Sequence, residues 1–501
     1  KIKKGDVIAE IANYPENGNW APHLHFQIML STLNYKIDFP GVCYYNQIEV
    51  WKDLCPNPNL LFKSVELNYT NDKSDGELIN YRKKHLGKSL KLHYEEPINI
   101  VRGEGVYLIS KNGRKYLDTI NNVAHVGHEN ESVVIEGQNQ MSILNTNSRY
   151  LHKSINELAK EIIQTLPKKL NVIHFVNSGS EANELAVRMM KSHTGSNDII
   201  VSENGYHGNT NICVDISSYK FDGKGGKGAP KNTHVIPMPT KFNGKYKGEE
   251  ACEGYISEIK NSIKNLKSKN RDLGGFIIEP IISCGGQVEL PDGFLKTAYD
   301  LIRENGGICI SDEVQVGCGR LGESFWGFEL HDVIPDIITI GKPLGNGHPI
   351  GAVVCTSEIA ESFANGMEFF NTFGGNPVSC SIATQVLKVV KNENLQKNAK
   401  TIGNYFKNEL KNLSDKYDII GDVRGQGLFL GIEFVDHKMN PLFRETKYIV
   451  NRLKDFGILA SLDGPNNNVI KIKPPLIFNK DNCDTFIFYL NKILEEDFVN
   501  K

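Results

Sequence analysis

Apolar residues fall along this chain in two rhythms. Between residues 172 and 340 they gather in short unbroken runs, at 172–176, 199–201, 276–278, 308–310 and 337–340. Runs this short, apolar at nearly every position, read as strands buried on both faces of a largely parallel sheet. Elsewhere the spacing turns helical. Ile155, Leu158, Ala159, Ile162, Ile163 and Leu166 share one face, as do Ala383, Val386, Leu387 and Val390 after Pro377. Residues 254–268 read as an amphipathic, basic helix with a solvated face. Period-two alternation marks 98–102, 106–109 and 115–118, the last two flanking an Asn112-Gly113 turn, which is a hairpin signal. The pattern predicts an α/β protein, with an antiparallel segment ahead of the main sheet and a helix closing the chain.

The polar residues that end these buried runs carry the chemistry. Residues 276–278 lead into Glu279-Pro280, 308–310 into Ser311-Asp312-Glu313, and 337–340 into Gly341-Lys342-Pro343. In a parallel sheet these ends share the carboxyl edge, where α/β proteins bind ligands. Lone buried charges cost several kcal/mol, so such groups need partners. An Asp312–Lys342 ion pair is one reading. The glycines around Lys342 (Gly341, Gly345, Gly347) point to another, because they let backbone approach a flat ligand closely. A desolvated lysine can form a Schiff base with an aldehyde, and an aspartate aimed at a pyridine nitrogen keeps it protonated. Together they suggest pyridoxal phosphate, with Gln315, on the same edge as Asp312, near the ring's phenolic oxygen. The turn Asn177-Ser178-Gly179-Ser180-Glu181 has capping-box spacing and equally offers free N–H groups to a phosphate.

Composition narrows the class. The 501 residues, 40% apolar and 23% charged, are enough for two to four domains with ample core. Lys+Arg 57 against Asp+Glu 59 gives no basic face for nucleic acid, and no apolar run approaches a membrane span. Neither kind of partner is expected. Ten cysteines are scattered without a C-x-x-C pair, which argues for reduced thiols in the cytoplasm. The chain opens at Lys1 with neither Met nor a charged-then-apolar leader, and reads as a fragment.

From about Tyr81 onward the chain resembles the class III (ω-type) aminotransferases, and among them the ethanolamine-phosphate and phosphohydroxylysine phospho-lyases. The strings NNVAHVGH (121–128), LNTNSRYLH (144–152) and NTFGG (371–375) carry the resemblance, with Lys342, Asp312 and the turn at 177–183. It implies a type I pyridoxal-phosphate-dependent transferase fold. A large, mostly parallel α/β domain would span 131–376, and a smaller α+β domain would draw on 81–130 and 377–501. The resemblance implies catalysis by Lys342 and Asp312, with the cofactor phosphate held by Gly179, Ser180 and Thr372. It makes Tyr206 the ring stacked on the pyridine face, with His207 beside it and Glu279 at the same edge. Thr372 would reach the neighbouring subunit's cofactor, so a homodimer with active sites at the interface is expected. Arg424 stands where the family grips a substrate carboxylate, and its planar fork suits either a carboxylate or a phosphate. Arg149 and Lys220 lie in strings shared with the phospho-lyases; each is a candidate second anion site or a surface ion pair. Two departures, Ser218 for a proline and Asn130-Glu131 for His-Pro, are expected to act locally.

Residues 1–62 lie outside this pattern. Alternation puts His23 and His25 on one strand face, and the string around them resembles the last motif of lysostaphin-like zinc endopeptidases. Zinc needs further protein ligands, which in that family lie upstream, so this reads as an incomplete remnant without metal or activity. A linker or peripheral helix is expected over 63–80. Two glycine runs are decoys: 223–228 lacks the ending of a P-loop, and 317–322 fits G-x-G-x-x-G without a good helix start. Three functions remain for a small-molecule amine substrate or other ligand. One is a phospho-lyase converting an amino-alcohol phosphate to aldehyde, ammonia and phosphate, which full-length similarity favours. The second is an ω-aminotransferase passing the amine to a keto acid. The third, resting only on His23 and His25, is a zinc or cell-wall binding module.

Overall fold

The computed structural model describes residues 74–499. Of these, 93–499 belong to one compact unit and 74–92 to another. His23 and His25, with all of 1–62, lie outside the described residues. In the unit before residue 93, helix Asp75–His85 opens on a capping box. Ser74 Oγ accepts the Glu77 N–H at 3.2 Å, and Glu77 Oε2 accepts the Ser74 N–H at 2.7 Å. Acids in its first turn and bases in its last suit the helix dipole, so the helix runs through residue 80, where the linker was expected to end.

The strands of the larger unit are β1 (Ile100–Glu104), β2 (Tyr107–Ser110), β3 (Lys115–Asp118), β4 (Val172–Val176), β5 (Asp198–Ser202), β6 (Thr233–Ile236), β7 (Leu273–Ile278), β8 (Ile281–Ile282), β9 (Val288–Glu289), β10 (Ile308–Asp312), β11 (Ile337–Ile340), β12 (Gly351–Cys355), β13 (Ile420–Gln426), β14 (Phe429–Phe434), β15 (Ile458–Leu459), β16 (Ser461–Asp463) and β17 (Val469–Ile472). Seven of them form the central sheet, in the order β4-β12-β11-β10-β7-β5-β6. It is parallel except at β12, which runs antiparallel to both β11 and β4. Every residue of β7, β10, β11 and β12 is buried. Successive side chains point to opposite faces of a sheet, so a sheet covered on both faces needs apolar residues at every position. Ile277 and Ile337 join the core beneath helix Gly179–Thr194. Ile278 and Ile338 join the opposite core, with helices Ala251–Ser268 and Phe294–Glu304.

A second region gathers both flanks of this sheet in the sequence. β1, β2 and β3 form a meander extended by β15, which lies parallel to β3. The β2–β3 hairpin turns at Gly113, φ +80°. β13, β14, β17 and β16 form another sheet, whose core is closed by helices Leu395–Lys416, Phe443–Asp455 and Lys480–Leu494. The departure at Asn130 has a local meaning: its side chain accepts the Val133 N–H and starts helix Glu131–Ile143 one residue ahead of Ser132. The glycine run at 317–322 opens no helix. It wraps Arg320, which is fully buried and donates to the carbonyls of Leu428 and Pro474, tying the two regions together.

Candidate active site

The carboxyl edge of the central sheet opens into a cavity of about 320 Å³. Asp312 closes β10, Lys342 follows β11 by two residues, and Gly179 and Ser180 open the helix after β4. Tyr206 and His207 come from the segment after β5. All six line the cavity, and so does Gln315. Seven of the candidate residues therefore converge on one space.

Asp312, 2% exposed, is held from three sides. Its Oδ2 accepts from His207 Nδ1 and from Asn183 Nδ2, each at 2.8 Å, and its Oδ1 accepts the Val314 N–H at 3.1 Å. Lys342 has φ +23°, a backbone angle an L residue rarely adopts, and such strain gathers at functional sites. The anion end of the cavity is built on close approach. A Cβ on Gly179 would sit 2.7 Å from Val314, and one on Gly208, at φ +131°, 2.6 Å from Ser180 Oγ. Ser178 caps the 16-residue helix by accepting the Glu181 N–H at 3.1 Å. An open helix start beside a serine hydroxyl suits a phosphate. An anion-binding turn, a fixed carboxylate and a lysine amine on one cavity fit pyridoxal phosphate, and the glycine cradle is space that a larger residue would fill.

Glu279 ends at the same edge beside the cavity, 2% exposed. Ser283 Oγ donates to its Oε1 at 2.5 Å, and its Oε2 has no partner among the described residues. Burial, then the neighbouring Asp312, pushes its carboxyl up to about 7. The Tyr206 phenol is likewise raised, chiefly by burial.

The other candidates do not line the cavity. Thr372 is exposed at its loop, although the adjacent Asn371 accepts from Asn177 Nδ2 at 2.9 Å. Arg149 pairs with Glu368 at 3.0 Å and stacks over Phe370 at 3.8 Å, its side chain 54% exposed. Lys220 Nζ lies 5.4 Å from the ring of Tyr206, and no ion pair engages it among the described residues. Arg424 does not line the cavity. It is buried, pairs with Asp422 at 2.9 Å and Glu433 at 2.6 Å, and donates to the Gly286 carbonyl at 2.8 Å. Asp422 and Glu433 stand directly opposite in the β13–β14 ladder, so two facing carboxylates require a cation between them. Sequence alone did not single out Asn183, Asn122 or Lys473. Asn183 lies one helical turn beyond Gly179, and that spacing was a usable signal.

Residues 91–494 match the family model for aminotransferase class-III. The chain belongs to that family and is an enzyme of its class. A Drosophila melanogaster protein named alanine–glyoxylate aminotransferase 2-like is 44% identical over 431 residues, covering 84% of this chain and 87% of the relative. A Caenorhabditis elegans ethanolamine-phosphate phospho-lyase homolog is 36% identical, covering 84% of this chain and 94% of its own. Among solved structures, a phospholyase from Arthrobacter in complex with phosphoethanolamine is 35% identical with TM-score 0.80. That match covers 83% of this chain and 99% of the other.

Proposed function

We propose that this enzyme is a pyridoxal-phosphate-dependent phospho-lyase that eliminates phosphate from an amino-alcohol phosphate such as phosphoethanolamine. The observation that carries this reading is Arg424. The guanidinium that would grip a keto acid's carboxylate is already neutralised by Asp422 and Glu433, away from the Lys342 cavity. Lys220, near Tyr206 and without a carboxylate partner among the described residues, is instead a cation beside the site, available to a substrate phosphate. The likeness to the phosphoethanolamine-bound phospholyase supports the same substrate class.

In this reading Gly179 and Ser180 hold the cofactor phosphate, and Asp312, fixed by His207 and Asn183, keeps a proton on the ring nitrogen. The bound cofactor supplies an electron sink for the carbon that bears the substrate's nitrogen. Lys342 removes the proton from that carbon. The C–O bond to the neighbouring phosphate then breaks, and its electron pair leaves with phosphate. With one water consumed, the products are an aldehyde, ammonia and phosphate.

The second reading, transfer of the amine to a keto acid, is supported by the relative named an aminotransferase at 44% identity. It requires Arg424 to leave both carboxylates. Release of inorganic phosphate from phosphoethanolamine without any keto acid decides between them, and phosphate release that depends on keto acid, or none at all, overturns the lyase reading. A dimer in which Thr372 serves the second subunit's cofactor is supported by the exposed apolar residues near it, Met367 at 73% and Phe373 at 67%. No helix among the described residues is long and apolar enough to cross a membrane. The eight described cysteines are all unpaired, which supports a reducing compartment such as the cytoplasm.

A further inference from the structure

A second lysine lies behind the cavity. Lys473, immediately after β17, is 5% exposed. Its backbone N–H donates to the Thr119 carbonyl at 2.6 Å, anchoring it beside the segment after β3. Its Nζ donates to Gln315 Oε1 at 3.2 Å, and Asn122 Nδ2 donates to the same oxygen at 2.7 Å. No carboxylate pairs with Nζ among the described residues. Asp463 is engaged by Lys471 at 3.5 Å and by Gln287 at 3.1 Å. The charged and titratable groups that act on Lys473 are Lys471, Asp463, Lys342 and Cys284, and the Phe429 ring lies 5.8 Å from Nζ. Burial, then Lys471, pushes the ammonium down to about 7.

Two donors on one oxygen orient the Gln315 amide. With the Asn122 amide and the Lys473 ammonium both donating, reversing it alone would set its own NH2 against two donors. Oε1 is therefore turned toward Asn122 and Lys473, and the NH2 end of this cavity-lining side chain is free of them. The buried ammonium also lacks a counter-charge of its own among the described residues, which an anion in the cavity would supply. We propose that Lys473 is a positioning residue: together with Asn122 it holds Gln315 with its amide N–H toward the cavity, placing a positively backed donor against an anionic ring oxygen of the cofactor. The inference rests on the reading of the cavity as a pyridoxal-phosphate site.

The visible band of the lysine-bound cofactor reports on donors and charge near the ring, through the pH at which it titrates. Lys473→Met, Gln315→Ala and the double variant are reconstituted, checked by thermal unfolding, and titrated beside wild type, with the cofactor dissociation constant measured for each. Losing a positive charge and a donor at the ring oxygen both favour the protonated linkage. Lys473→Met is therefore expected to raise the midpoint by about one pH unit and to weaken cofactor binding several-fold. Lys473→Arg is expected to restore the wild-type midpoint, and the double variant to shift by less than the sum of the two single shifts. A folded, cofactor-binding Lys473→Met with the wild-type midpoint overturns the proposal, and so do shifts that add in full. Should Lys473→Met fail to fold, Asn122→Ala carries the test: a midpoint raised above wild type supports the clamp, and an unmoved one overturns it. Wild type acquiring no visible band with pyridoxal phosphate would instead defeat the cofactor reading itself.

Discussion

Replacing Asp312 with asparagine tests the centre of the site with the least change in shape. Asp312 Oδ2 accepts two hydrogen bonds at 2.8 Å and Oδ1 accepts one at 3.1 Å, whereas an amide has one accepting oxygen. With that oxygen in the Oδ2 position, the bonds from His207 and Asn183 survive and the amide NH2 faces the Val314 N–H. Donor against donor in a buried site costs about 1–3 kcal/mol of stability. The catalytic loss is separate. A neutral amide cannot balance a positive ring nitrogen, and a hydrogen bond to a charged group contributes about 1.5–3 kcal/mol. At tenfold per 1.4 kcal/mol, that bond alone accounts for a fall of about tenfold to a hundredfold. The weakened electron sink adds to it, so the turnover number should drop roughly a hundredfold or more. The Gly179–Ser180 turn and Lys342 are untouched, so the cofactor should still bind, with an affinity loss no larger than the roughly tenfold to hundredfold that the lost bond is worth. The assay is inorganic phosphate released from phosphoethanolamine at saturating cofactor. A variant that holds cofactor and turns over within about threefold of wild type would refute the role given to Asp312.

Lys342→Ala should abolish both the visible band and phosphate release, and a spectrum and rate like wild type would remove Lys342 from the chemistry. Arg424→Ala leaves Asp422 and Glu433 facing each other in the ladder and should cost about 3–5 kcal/mol in denaturant unfolding. Arg149→Ala, at an exposed pair, should cost less than about 1 kcal/mol; similar losses for the two would contradict this placement of Arg424. Glu279 has its carboxyl raised from the ordinary range to about 7 in the fold, so the native state binds the proton more tightly than the unfolded chain. Its contribution to stability is then present at acid pH and lost as pH rises from the ordinary carboxylate range through about 7. Glu279→Gln should therefore stabilise the cofactor-free protein more at pH 8 than at pH 5, by on the order of 2–3 kcal/mol, and an equal effect at both would contradict the shift. Thr372→Val should weaken cofactor affinity if two subunits share the site, and unaltered affinity would argue against sharing.

Much of the site was legible in the sequence because its geometry is local. A short run apolar at every position reads as a doubly covered strand, and what ends such a strand stands at the sheet edge. That logic brings Glu279, Asp312 and Lys342 to one place before any contact is known. Ser178-Gly179-Ser180 is a helix start on the strength of a few neighbouring residues, and a helix start favours anions wherever it lies. Only the tertiary structure decided the rest. Arg424 is a candidate substrate ligand by sequence, and the β13–β14 register sets Asp422 opposite Glu433, so that the guanidinium pairs with both. Register depends on which residues of two strands meet, and one strand's sequence does not encode that choice. Asn122, Gln315 and Lys473 are separated by more than a hundred residues, and they meet because β3, β10 and β17 end near one another. Chain folding, not spacing, turned a lysine at the end of an ordinary strand into a buried cation behind the site.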